Sequence, residues 1–150
     1  MKTYTERQLA AQPVGYWTGE AYRTIVARIR AGLAEERLTQ PHWWILNHVS
    51  GRPGHWRRAP LAAWLVTFDD QDTDFPAVLD DLVARGWLTE AESGELTLTD
   101  QGEAGRARAR ERTAATTRLI HQGIDTAEYV AALQVLRRMI DNLGGRSDLP

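Results

Sequence analysis

A chain of 150 residues, 43 % hydrophobic and 25 % charged, can bury one sizeable core but not two ordinary ones, so a single domain is expected. The formal net charge of −2 argues mildly against a strong nucleic-acid binder, and the absence of cysteine excludes a disulfide framework, a thiolate nucleophile and a cysteine metal site. No apolar run approaches the ~20 residues that span a bilayer, and Met1 to Gln12 lacks the apolar middle of a signal peptide, so a soluble cytoplasmic protein with no membrane partner is expected.

In chain order, Met1 to Gly15 keeps no period and holds Pro13 and Gly15, which reads as a loose or short-turned lead-in. From Tyr16, the residues Tyr22, Ile25, Val26, Ile29 and Leu33 keep helical spacing to about Glu36, with Arg23, Arg28 and Arg30 off that face. Thr39 offers an N-cap with Pro41 just inside a second helix, whose Trp44, Ile45, Leu46 and Val49 stop before the break Ser50-Gly51-Arg52-Pro53-Gly54. Leu61, Trp64, Leu65 and Phe68 predict a short third helix from about Pro60, with Trp44 and Trp64 at core positions.

After the acidic turn Asp69 to Asp74, a fourth apolar helical face begins at Phe75 and runs through Leu79, Leu82 and Val83, and Gly86 stands where a C-terminal glycine cap belongs. Trp87-Leu88-Thr89 and Leu96-Thr97-Leu98 flank the polar stretch Glu90 to Glu95, whose Gly94 can take positive φ, and so predict a β-hairpin. Thr99 then caps a long helix from Asp100 to about His121, weakened by Gly105 and by Thr113, Thr116 and Thr117, and ended by Gly123. Thr126 caps a last helix with the stripe Tyr129, Val130, Leu133, Leu136, Ile140 and Leu143; Gly144-Gly145 closes it, and the tail to Pro150 is expected to fray.

Helix, hairpin and helix in this order resemble the winged helix-turn-helix of the MarR (multiple antibiotic resistance regulator) transcription factors. Leu82-Val83-Ala84-Arg85-Gly86-Trp87-Leu88 is similar to that family's exit from the recognition helix, and Leu98-Thr99-Asp100-Gln101-Gly102 to its entry into the long dimerisation helix. Leu38-Thr39-Gln40-Pro41-His42-Trp43-Trp44-Ile45-Leu46 resembles the family's second helix, and the spacing of the three landmarks fits. The resemblance implies a mainly α fold in one domain: a winged helix-turn-helix over about 39–99 with a short hairpin wing, flanked by dimerisation helices over about 16–36 and 100–143. It also implies a homodimer that binds double-stranded DNA and regulates transcription in response to a small molecule. The family's effector pocket would lie near Trp17, Tyr22, His42 and Trp43, and together with Trp56 these suit a planar, phenol-like ligand.

The residues themselves offer little chemistry. His42, His48, His55 and His121 form no His-Glu-x-x-His pattern, and the run from Asp69 to Asp74 lacks the glycine and closing Glu of a calcium loop, so no enzyme, metal or cofactor is expected. Charge is strongly segregated. From Thr67 to Glu103 there are eleven acids against one base, Arg85, while Arg52 to Arg58 holds three bases and no acid. The alternating run Arg106, Arg108, Arg110, Arg112 spreads round a helix and reads as a solvated face rather than a phosphate stripe.

On this pattern Arg52, Arg57, Arg58 and Arg85 are the candidates for phosphate contacts, with Thr73 and Ala77 for base edges. Family members resemble one another in Arg, Ser or Thr on the outward recognition face and arginines in a long wing. Here the matching positions are Asp72, Thr73, Asp74, Pro76, Ala77 and Asp80, and the short wing has no arginine at its tip. Weak DNA binding is therefore expected, and the alternative is a winged-helix module that binds protein or ligand and has lost sequence-specific DNA binding.

Overall fold

A computed structural model describes residues 2–148; the start at Met1 and the frayed end expected at Leu149 and Pro150 lie outside them. The elements run α1 (Glu6–Ala10), α2 (Val14–Ala34), α3 (Gln40–Gly51), α4 (Arg58–Leu65), a 3-10 turn (Val66–Phe68), α5 (Phe75–Ala84), β1 (Leu88–Glu90), β2 (Leu96–Leu98), α6 (Asp100–Ile120) and α7 (Thr126–Asn142). The order is the predicted one, with an added α1. That short helix falls inside the stretch read as a loose lead-in: Thr5 and Gln8 cap its start reciprocally, a local signal that periodicity does not register.

The chain gathers into two compact units, one up to Thr116 and one from Thr117 on. The apolar core lies in the first. Leu33 of α2, Leu38 before α3, Ile45, Leu46 and Val49 of α3, Leu61 and Leu65 of α4, Phe75, Leu79 and Leu82 of α5, and Trp87, Leu88 and Leu96 of the hairpin meet there, joined by Ala109 of α6. Each fully buried leucine contributes roughly 2 kcal/mol.

Local chemistry sets the ends of the recognition-type helix α5. Asp74 accepts the N–H of Ala77 at 3.1 Å, and Pro76 sits in the first turn, where its missing N–H costs nothing. At the other end Gly86 takes φ 68°, so that Trp87 N–H reaches Leu82 O and Gly86 N–H reaches Val83 O, each at 2.9 Å. The hairpin pairs Leu88 with Leu98, Thr89 with Thr97 and Glu90 with Leu96. Beyond β2, Gly54 N–H donates to Leu96 O and Leu96 N–H to Trp56 O, so the loop after α3 pairs with the wing's outer side.

Five readings need correction. Trp64 is not core: α4 buries Leu61 and Leu65, while Trp64 and Phe68 stay about 40 % exposed and pack edge to face at 5.9 Å. Trp44 is half-buried at the core's margin, and Val83 stands 36 % exposed off the buried face of α5. The α3 helix runs through Ser50 and Gly51 instead of stopping before them. In the second unit Asp125, not Thr126, caps α7, accepting the N–H of Glu128 at 2.8 Å.

Gly105 has its own explanation. A Cβ there would stand 2.4 Å from the Trp87 ring, and one at Gly102 would stand 2.1 Å from Trp87 O. The glycines that weaken α6 as a helix let Trp87 lie against it. No described helix is long and apolar enough to cross a membrane.

Candidate nucleic-acid interface

The helix-turn-helix is α4 and α5, with the 3-10 turn and the acidic loop 69–74 between them. Asp69 shapes that loop by accepting Thr73 N–H at 2.6 Å and the Thr73 hydroxyl at 2.8 Å, and the Thr73 backbone bond is the largest cause holding the Asp69 carboxyl below its usual range. Thr73 has therefore spent its hydroxyl proton, and only its lone pairs remain for a base edge. Asp70 is tied back to α2, accepting from the Tyr22 hydroxyl at 2.6 Å and pairing with Arg30 at 2.6 Å. Ala77 is exposed on α5, with its N–H held by Asp74.

The candidate phosphate contacts divide into free and engaged. Arg52 is exposed and makes no ion pair among the described residues. Arg57 is 58 % exposed and pairs with Glu95 at 2.6 Å, whose carboxyl is held low first by the Ser93 hydroxyl and then by Arg57. Arg58 is gripped from two sides. Its Nε donates to Glu90 at 2.7 Å on β1 and its Nη1 to Asp80 at 2.6 Å on α5, bonds that push its already high pKa higher. Arg85 spends Nε on Asp81 at 2.6 Å and Nη1 on the Arg37 carbonyl at 3.0 Å, and its guanidinium lies 5.8 Å from the centre of the Trp87 ring. These carboxylates lie 22 to 38 residues from Arg57 and Arg58, and no local spacing announces them.

The five residues expected to line an effector pocket are spread over several sets of partners. Trp17 lies in α2, donates Nε1–H to Gln12 at 2.8 Å, and lines a cleft of ≈ 560 Å³ with Lys2, Thr3, Tyr4 and Leu9. Tyr22 is held by Asp70, and that hydrogen bond raises its phenol above the usual value. Trp43 is half-buried against the core, and Trp56 stacks on His48 at 5.8 Å.

His42 is a buried structural joint, 7 % exposed. Its Nδ1 accepts Thr39 N–H at 3.2 Å and lies 2.6 Å from the Thr39 hydroxyl, which leaves Nε2–H to donate to Asp81 at 2.9 Å. Burial lowers its pKa, against the pull of Asp81. It thus caps α3 and ties that helix to α5. Among the described residues no group of acids and histidines could hold a metal ion.

No family model and no curated protein matches the chain. Solved structures do. The MarR family protein Rv2887 of Mycobacterium tuberculosis, in complex with DNA, is 24 % identical, with a TM-score of 0.66 over 89 % of this chain and 99 % of that one. The PcaV transcriptional regulator of Streptomyces coelicolor is 19 % identical, with a TM-score of 0.72 over 90 % of this chain and 100 % of that one. The transcriptional repressor CouR bound to p-coumaroyl-CoA is 22 % identical, with a TM-score of 0.66 over 91 % and 97 %. The chain has the winged helix-turn-helix fold of MarR family regulators, and the resemblance read in its sequence is met at the level of fold.

Proposed function

We propose that the chain is a MarR-type transcription regulator that binds double-stranded DNA as a homodimer in the cytoplasm and responds to a small aromatic ligand. The supporting observation is the α4–turn–α5–hairpin unit, with Arg57 and Arg58 at the start of α4 and Arg52 at the end of α3, in a fold shared with a DNA-bound relative. In the proposed complex α5 enters the major groove, these arginines meet phosphates, and Thr73 and Ala77 meet base edges. Arg85 serves mainly to pack the exit of α5, since Asp81 and the Arg37 carbonyl already take its donors.

Dimerisation rests on α7, which buries no residue of its own and exposes Val130, Leu133 and Ile140, with Leu143 exposed at its C-cap. A two-fold pairing of such helices would cover them. Ligand response rests on the Trp17 cleft, which is walled by Tyr4, Leu9 and Trp17. No catalytic role is proposed.

Asp80, Glu90 and Glu95 favour a second reading, a winged-helix module that has given up DNA, because they already neutralise the arginines that would grip phosphate. Selecting bound sequences from random duplex DNA at low salt separates the two. Enrichment of a pseudo-palindrome, with half-sites about one helical turn apart, supports the regulator. Recovery of unenriched DNA, or of none, favours the module.

A further inference from the structure

We infer that the first unit carries a binding site for a small, multiply charged oxyanion, a phosphate or a polycarboxylate, in the cleft bordered by the end of α2, the exit of α5 and the first half of α6. This cleft of ≈ 520 Å³ is lined by Glu35 and Glu36 beside Arg37, Arg85, Trp87, Gln101 and Arg108. It shares no lining residue with the Trp17 cleft, and the site stands whether or not the chain reads DNA.

Three arginines, Arg37, Arg85 and Arg108, line one space. Arg85 and Arg108 both approach the Trp87 ring, at 5.8 and 5.9 Å from its centre, and Trp87 is only 7 % exposed, so the floor is an indole roofed by cations. Each keeps donors unspent. Arg108 uses Nε on Glu36 at 2.9 Å, while Arg85 uses Nε and Nη1 on Asp81 and the Arg37 carbonyl; a guanidinium has five N–H groups to offer.

The carboxylates nearby are already matched. Glu36 takes Arg108 and Arg112, bonds that hold it below its usual pKa, and Glu35 takes Arg112 at 2.9 Å. Arg37 remains with no ion pair among the described residues, and it is the surplus charge of the cleft.

Arg37 is also the residue whose presence needs explaining. It closes the C-terminal turn of α2 at φ 56°, with its N–H on Ala34 O and Leu38 N–H on Leu33 O, a position where glycine is the ordinary choice. A long cationic side chain at a strained backbone position, with no ion pair among the described residues, is read as a functional constraint. Fork-shaped donors on three different elements suit an anion with several oxygens, which can bridge them, better than a monoanion, which cannot. Because Arg85 terminates α5, an anion here would also bear on the placement of that helix.

The test is the thermal unfolding of the full chain with citrate and, separately, inorganic phosphate, at ionic strength held constant with sodium chloride. A saturable rise in Tm with at least one of them is expected, and the more effective one identifies the source. Arg37→Ala should weaken that binding at least tenfold, and Arg108→Gln likewise, while Arg23→Ala, whose side chain pairs with Glu20 on the N-terminal half of α2, binds as the wild type does. Arg37→Gly is the sharper variant: it should unfold at a higher temperature than the wild type in anion-free buffer, yet gain nothing from the anion. The proposal is overturned if neither anion gives a saturable response by about 10 mM, or if Arg37→Ala and Arg37→Gly respond as the wild type does, which would leave the arginines as a packing network only.

Discussion

Arg58 at the start of α4 donates to Asp80 on the exposed face of α5 at 2.6 Å, so a cation proposed for a phosphate contact is bound to the helix proposed to read the bases. Glu90 holds the same guanidinium from the wing at 2.7 Å. On the proposed function, DNA would have to displace both carboxylates before Arg58 could contribute. Each pair is worth at most about 1 kcal/mol at such exposure, yet together they remove a phosphate contact and leave two negative charges facing a polyanion.

Asp80→Asn combined with Glu90→Gln should therefore strengthen non-specific DNA binding about tenfold at 0.1 M salt and steepen the salt dependence by about one counterion per subunit. Arg57→Ala with Arg58→Ala should abolish binding at every sequence. Fluorescence anisotropy on a labelled duplex across a salt series reads both outcomes. If the carboxylate variant binds no better, the acidic face does not limit affinity.

Gly102→Ala should destabilise the protein by about 3 kcal/mol, because the new methyl group meets the Trp87 carbonyl, and backbone cannot step aside. Gly105→Ala meets the ring of the same residue and should cost somewhat less, since a side chain can shift. Urea denaturation measures both. A helix-propensity view predicts the opposite sign, so a stabilised Gly105→Ala would refute the packing argument.

The pH dependence of stability follows from His42. Burial lowers its folded-state pKa beneath the unfolded value of about 6.5, so below that pH the unfolded chain binds the extra proton first and stability falls, while above it the residue contributes no pH dependence. His48 acts in the same direction, lowered by burial and then by Arg52. Between pH 7.5 and 5.5 the denaturation midpoint should drop, and His42→Gln should drop less. An equal slope in the two proteins would mean that His42 does not carry the effect.

Leu133→Glu with Ile140→Glu should convert a dimer into a monomer at micromolar concentration without loss of the first unit's fold. Both side chains are about 40 % exposed on a helix that buries nothing of its own. Sedimentation velocity gives the answer, and a wild-type chain that is already monomeric would remove the dimer altogether.

What the sequence determined by itself is the succession of elements and several of their ends. Thr39, Gly86, Thr99 and Gly123 mark starts and stops because caps and glycine turns close hydrogen bonds among residues a few positions apart, and such bonds are legible in a short window. The same locality explains α1, whose Thr5 and Gln8 were in view although no apolar period pointed to them.

Tertiary structure alone decided which residues are available. Trp64 satisfied a helical period yet lies outside the core, because Leu61 and Leu65 already cover the face that α4 turns inward. His42 stood beside Trp43 as a pocket candidate until Asp81, 39 residues on, took its second nitrogen. Arg58 carried the same formal charge as Arg52, but Asp80 and Glu90 engage only the former. In each case the deciding partner comes from a distant segment, and a spacing rule that reads 3.6 or 2 residues at a time has no term for a contact made by the fold.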